Sequence, residues 1–266
     1  DVASSSVSKA GSYFAALPEE DRAPMRAWAQ STYGPVYRAM KAREASLDQG
    51  ETLLLQTLYS NLLEMGEMEA ERQALADKAA AYVGVDGSPD PEAVSANELS
   101  AAMKWGTTLG GRDFYEAALE HARTTDNQLE RRTILQTLVT YADEPEMADL
   151  IKEMQGSDWQ GQETWSVLQA SLNNEANQDA AWALYQASCD NVISRTPEIR
   201  KAQTAGAVRS FCTEEKVAEA SAFFEGKKDA IPGYERSLAQ ARESGNLCAA
   251  FRSGKVEELK AAIAER

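Results

Sequence analysis

Glu51-Thr52-Leu53-Leu54-Leu55-Gln56-Thr57-Leu58-Tyr59-Ser60-Asn61-Leu62-Leu63-Glu64-Met65 places Leu54, Leu55, Leu58, Leu62 and Met65 at i, i+1, i+4, i+8 and i+11. That spacing puts all five on one face of an α-helix and on no single face of a strand. Two further stretches repeat the pattern, Leu129/Ile134/Leu135/Leu138/Tyr141 and Val217/Ala220/Phe223/Phe224. No stretch shows sustained β-branched alternation with hairpin turns.

Breakers separate the helical stretches at intervals of roughly 12 to 20 residues, one ordinary helix plus its turn. They fall at Asp48-Gln49-Gly50, Met65-Gly66, Gly84 to Pro91, Gly110-Gly111, Thr124 to Asn127, Asp143 to Pro145, Gly156 to Gly161, Asn173-Asn174, Thr196-Pro197, Cys212-Thr213, Gly226 to Gly233 and Gly254. Ser95 to Glu98 has the capping-box spacing, Asp126 and Thr213 are expected N-caps, and Gly66 and Gly84 are expected left-handed C-terminal residues. Short connections between about a dozen helices imply antiparallel neighbours. The expected fold is therefore all-α, an irregular superhelix of antiparallel helix pairs of the HEAT or armadillo kind. Residues 1–266 are read as one helical domain with a possible hinge at 84–96, a segment too short to force two domains.

The formal net charge of −15 opposes a generic nucleic-acid or anionic-membrane surface. No apolar run reaches the length of a bilayer span. Cys189, Cys212 and Cys248 form no CxxC; an odd count leaves at least one free thiol, and the three read as half-buried small apolar side chains rather than a disulfide framework. The five tryptophans read mostly as core between helix layers. Asp1 is not Met, which suggests a processed piece of a longer protein, and Ser4 to Ser6 read as a frayed polar tract. The compartment stays open between cytoplasm and an exported location.

Catalytic constellations are missing from the sequence. An HExxH zinc site needs two histidines one helical turn apart, and His121 is the one histidine in the chain. There is no GxSxG elbow, Walker loop or GxGxxG. The acidic run Glu64, Glu67, Glu69 and Glu71 lacks cation-loop spacing and reads as a solvated helix end. One local departure from the acidic balance is Arg195, Arg200, Lys201 and Arg209, set against Asp190 and Glu198. Arginine forks suit carboxylates, so this group is the candidate binding site; the other reading is that it neutralises neighbouring helices.

The last third carries a resemblance. Phe211-Cys212, Phe223-Phe224, Ile231-Pro232-Gly233-Tyr234-Glu235-Arg236-Ser237-Leu238-Ala239-Gln240-Ala241 and Asn246 to Phe251 resemble the end of the zinc aminopeptidase family that includes aminopeptidase N and the puromycin-sensitive and endoplasmic reticulum aminopeptidases. Upstream, Tyr33-Gly34-Pro35, Gly110 to Tyr115, Glu130 to Leu138 and Asn191 to Pro197 are similar in order and spacing. The resemblance covers about Ala16 to Ala262. It implies a C-terminal helical domain that caps the peptide chamber and packs on a catalytic domain of the same polypeptide, with peptide substrates. The zinc cofactor and the HExxH-x18-E and Gly-Ala-Met-Glu-Asn-type motifs would belong to that catalytic domain, so this chain alone would hold no metal and would not be an enzyme. In some relatives basic residues of this domain meet the substrate C-terminus, which is carried here as an expectation onto Arg195, Arg200, Lys201 and Arg209. The competing reading is a free-standing helical-repeat adaptor that binds a protein partner on its concave face.

Overall fold

A computed structural model describes residues 2–156 and 158–264; Asp1, and Ser157 within the Gly156–Gly161 break, lie outside the described residues. Among those described there are thirteen α-helices, several short 3-10 segments and no strand. No described helix is long and apolar enough to cross a membrane. The chain divides into two compact units, Asp1–Glu71 with Asn246–Arg266, and Arg72–Gly245.

The first unit holds α1 (Val2–Ala16), α2 (Arg22–Lys41) and α3 (Gln49–Met65), with the later residues of α13 (Tyr234–Ala264). The polar start at Ser4 to Ser6 is helical, where the sequence suggested fraying. Helix α3 starts with a capping box in which Glu51 N–H donates to Asp48 and the Glu51 carboxylate accepts from the Asp48 N–H. It buries Leu55, Leu58, Leu62 and Met65 of the expected stripe, while Leu54 is half-buried. Phe14, Leu17, Met25 and Ala29 join Met65 and Val256 in the core of this unit. Tyr13 stacks on Phe251 at 5.6 Å, and Arg252 donates to the Ala16 carbonyl at 2.9 Å.

The second unit contains α4 (Glu69–Val83), whose first residues belong to the first unit, then α5 (Leu99–Leu109), α6 (Gly111–Thr124), α7 (Gln128–Tyr141), α8 (Glu144–Glu153), α9 (Gly161–Ser171), α10 (Gln178–Arg195), α11 (Glu198–Lys201) and α12 (Glu214–Gly226). Within it α5, α7 and α9 lie side by side, while α6, α8 and α10 pack behind them. Arg131 reaches Glu163 at 3.6 Å near the starts of α7 and α9, and Thr140 donates to the Ala170 carbonyl at 3.1 Å near their ends. The two helices therefore run in the same direction, and each is followed by an antiparallel partner, the layering of an α-α superhelix.

Several local expectations shift. Ser95 bonds the Glu98 carboxylate at 2.7 Å in a turn that precedes α5, so it is not the cap of that helix. The N-cap of α7 is Asn127, whose side chain accepts from Leu129 and Glu130; Asp126 stands one residue too early. Thr213 caps α12 as expected. Gly84 is left-handed at φ +80 as expected, but Gly66 is extended, with φ −100 and ψ −179. Cys212 and Cys248 are each in a disulfide, against the expectation of three small apolar side chains. Cys189 is the free thiol, and burial pushes it up to about 12. Trp159 and Trp182 are buried, whereas Trp28, Trp105 and Trp165 are half-buried.

Gly106 marks the tightest helix approach in this unit. A Cβ there would sit 2.3 Å from the Phe114 ring and 2.9 Å from the Ala79 Cβ. Phe114 is 1% exposed and has nowhere to move. A second internal fastening surrounds Glu130: its carboxylate accepts from Tyr82 at 2.6 Å and Thr125 at 2.9 Å, and meets His121 Nε2 at 2.6 Å. Burial pushes this carboxyl upward, but the hydrogen bonds from Tyr82, His121 and Thr125 outweigh it and hold the group below its ordinary value. His121 is thus a partner in a half-buried network.

Two predictions follow from these contacts. Gly106→Ala should lower unfolding stability by a net of about 1–3 kcal/mol in urea titration, because overpacking exceeds the helix-propensity gain of about 1 kcal/mol. Gly87→Ala, with nothing within 4 Å, should change it by less than about 0.5 kcal/mol. Glu130→Gln should destabilise the chain by about 1.5–3 kcal/mol at neutral pH. A depressed carboxyl contributes stability above its unfolded value and loses it as pH falls through the folded one, so the gap between Glu130→Gln and the wild type should narrow in acid. A gap that stayed constant down to the acid-unfolding range would assign the network no charge.

Candidate functional site

The exposed face of the α5/α7/α9 layer forms a trough of about 680 Å³. It is lined by Ser100 of α5, by one side of α7 from Arg132 to Tyr141, by one side of α9 from Gln162 to Ala170, by Asn173 just beyond α9, and by Arg209 and Ser210. Helical periodicity makes this face. On α7, Ile134, Leu135 and Leu138 point inward, so Arg132 and Gln136, four residues apart, face the trough, with the buried Thr140 one turn further on in its lining. On α9, Val167 and Leu168 are buried while Gln162, Ser166 and Gln169 face the trough.

Arg209 reaches this face because the 3-10 segment Ala202–Ser210 is tightly held. Its Ala205, Ala207 and Val208 are fully buried. Tyr185 donates to the Thr204 carbonyl at 3.1 Å, and Gln178 donates to the Ser210 carbonyl at 2.9 Å and the Leu172 carbonyl at 2.8 Å. Behind the segment, Trp182 lies 5.2 Å from Phe211 and 5.3 Å from Phe223, edge to face. Arg209 Nε donates to the Gly206 carbonyl at 3.0 Å, which leaves its two terminal nitrogens free to meet a ligand. A Cβ on Gly206 would come within 2.8 Å of the Arg209 guanidinium and 3.5 Å of the Gln169 amide, so both donors converge over that glycine.

The structure separates the four basic residues singled out in the sequence. Arg195 turns inward and donates to the carbonyls of Met154 at 3.3 Å, Gln155 at 3.4 Å and Trp159. Lys201 pairs with Glu198 at 2.8 Å. Arg200 is exposed on α11, and Arg209 alone of the four lines the trough. The trough instead brings in Arg132, which charge counting around residue 200 could not find; its signal was the polar stripe opposite the leucines of α7. The neighbouring Arg131 is spent on the carbonyls of Ala122, at 3.1 Å, and Thr125.

Chemically, the trough favours anions. Its fifteen lining residues include two arginines and no carboxylate, in a chain with 42 acidic and 27 basic residues. Among the described residues no group of three or more His, Cys, Asp or Glu is arranged to hold a metal ion.

Comparison with known proteins adds the context. Aminopeptidase M1-B of Oryza sativa subsp. japonica is 30% identical over 144 residues, which is 53% of this chain and 16% of the rice protein. The chain thus corresponds to a small part of that relative's length. Residues 1–246 match the family described as the ERAP1-like C-terminal domain. With more than nine-tenths of its length matched, and with the all-α layering that the aminopeptidase resemblance implied, the chain belongs to the ERAP1-like C-terminal domain family.

Proposed function

We propose that this chain is the non-catalytic C-terminal domain of a zinc aminopeptidase, where it caps the peptide chamber, restricts access to it and holds the distal part of the peptide. Family membership and the likeness to a rice aminopeptidase support the peptidase context. The observation that carries the peptide-holding role is the trough on α7 and α9, with its two arginines and no carboxylate. In a chain of net charge −15, a patch of this kind draws the negative end of a peptide away from an otherwise repelling surface.

The zinc belongs to a catalytic domain of the same polypeptide. This chain's residues do not fit such a site: His121 Nε2 is directed at Glu130, and a second histidine is missing from the sequence. The chain contributes position and electrostatics. Arg209 receives the peptide's C-terminal carboxylate with its free guanidinium nitrogens, and Arg200 adds positive charge nearby in sequence. Arg195 and Lys201 serve the same group indirectly, Arg195 by tying the end of α10 to the turn after α8, and Lys201 through its pair with Glu198.

Charge reversal at Arg200 and Arg209 in the full-length enzyme should raise KM for free-carboxylate peptides about tenfold to a hundredfold, the worth of a charge-assisted hydrogen bond, with kcat little changed. Peptide amides should be unaffected. Arg195→Ala should instead lower the unfolding midpoint, since it removes a donor from the Met154 and Gln155 carbonyls and from that of Trp159. Unchanged KM and unchanged peptide-length preference in the double reversal would remove the carboxylate anchor.

A further inference from the structure

The trough has a second feature that does not depend on its arginines. Gln136 of α7 and Gln162 and Gln169 of α9 face into it, and none of these three side-chain amides has a hydrogen-bond partner among the described residues. Four of the hydroxyls around them are already spent as donors. Thr133 donates to the Leu129 carbonyl at 2.9 Å, Thr137 to Thr133 at 2.7 Å, Thr140 to Gln136 at 2.7 Å, and Ser166 to Glu163 at 2.9 Å. Away from Arg132 and Arg209, the donors available along the trough are therefore chiefly carboxamides.

A carboxamide offers one carbonyl and one NH₂, the same donor and acceptor pair as a peptide unit. Gln162 and Gln169 stand two helical turns apart, about 10 Å, which an extended peptide covers in about three residues. Gln136 stands on the adjacent wall. The Arg131–Glu163 and Thr140–Ala170 contacts set the register of α7 against α9, and by that register Gln136 falls between the heights of the two glutamines opposite. Trp165, half-buried, lies between Gln162 and Gln169 in the lining.

We infer that this trough binds extended polypeptide by its main chain, through the three glutamine amides, and therefore accepts peptides with little regard to their side chains. The inference deepens the peptide-holding reading above and rests on it, but it uses residues other than the carboxylate anchor, so the two can fail separately.

The test titrates the 266-residue chain with a fluorescein-labelled, acetylated and amidated octapeptide, a scrambled version, and an analogue in which alternate peptide N–H groups are replaced by ester oxygens. The parent and scrambled peptides should bind within about threefold of each other, and the ester analogue about tenfold or more weaker, since each net hydrogen bond is worth about fivefold. The triple variant Gln136→Ala/Gln162→Ala/Gln169→Ala, with folding checked by circular dichroism, should bind the parent as weakly as wild type binds the ester and no longer distinguish the two. Gln162→Ala alone, at an exposed position, should give a partial loss and guards against misfolding of the triple variant.

Equal binding of parent and ester, an unchanged triple variant, strong dependence on peptide sequence, or no binding up to millimolar peptide would each overturn the inference. Arg209→Gln, measured with the free-carboxylate form, separates the two readings. Loss of the carboxylate advantage without any ester effect keeps the anchor and removes the amide ladder; an ester effect without a carboxylate advantage does the reverse.

Discussion

The burial of α7 is the constraint on which the second unit depends. Ile134, Leu135, Leu138 and Val139 are at most 1% exposed, and the helix packs against α5, α6, α8 and α9 together. Four fully buried aliphatic side chains represent roughly 6–12 kcal/mol of transfer free energy, an upper bound because the unfolded chain is partly compact. No neighbouring helix can be displaced without exposing part of that stripe. The same burial turns Arg132 and Gln136 of α7 to the opposite side, so the trough is the remainder of the packing and not a separate construction.

Directional bonds refine what burial leaves loose. The Arg131–Glu163 and Thr140–Ala170 contacts set α7 against α9, and Glu130 ties the start of α7 to α4 and α6 through Tyr82 and His121. A helix turns about 100° per residue, so adjacent arginines meet different fates: Arg131 is consumed inside while Arg132 is presented to solvent. The 3-10 segment does for Arg209 what α7 does for Arg132, because its buried alanines and valine leave the guanidinium only one side on which to emerge.

Much of the fold was legible in the sequence, for reasons visible in single elements. The stripe through Leu55, Leu58 and Leu62 is buried as its period requires, and Thr213 caps its helix because a hydroxyl before an acidic first turn has little else to do. The misreadings occurred where two groups compete. Asn127 displaced Asp126 as the cap by one residue, and Ser95 engaged Glu98 before the helix began. Within the candidate site, local charge density pointed to residues 195 to 209, but density does not reveal direction. Arg195 turned inward onto the carbonyls of Met154, Gln155 and Trp159. Arg132 and the three glutamines come together only when α7 and α9 lie side by side, a fact carried by tertiary packing and by no local pattern.

The inward arginine of α7 has a consequence for the chain's motions. Arg131 satisfies the carbonyls of Ala122 and Thr125, which the end of α6 would otherwise leave to water. Fraying of the first turn of α7 therefore uncaps the last turn of α6 in the same event. The end of one helix and the beginning of the next behave as one cooperative unit of local opening, with one opening free energy for the amides on both sides of the connection at 125–127.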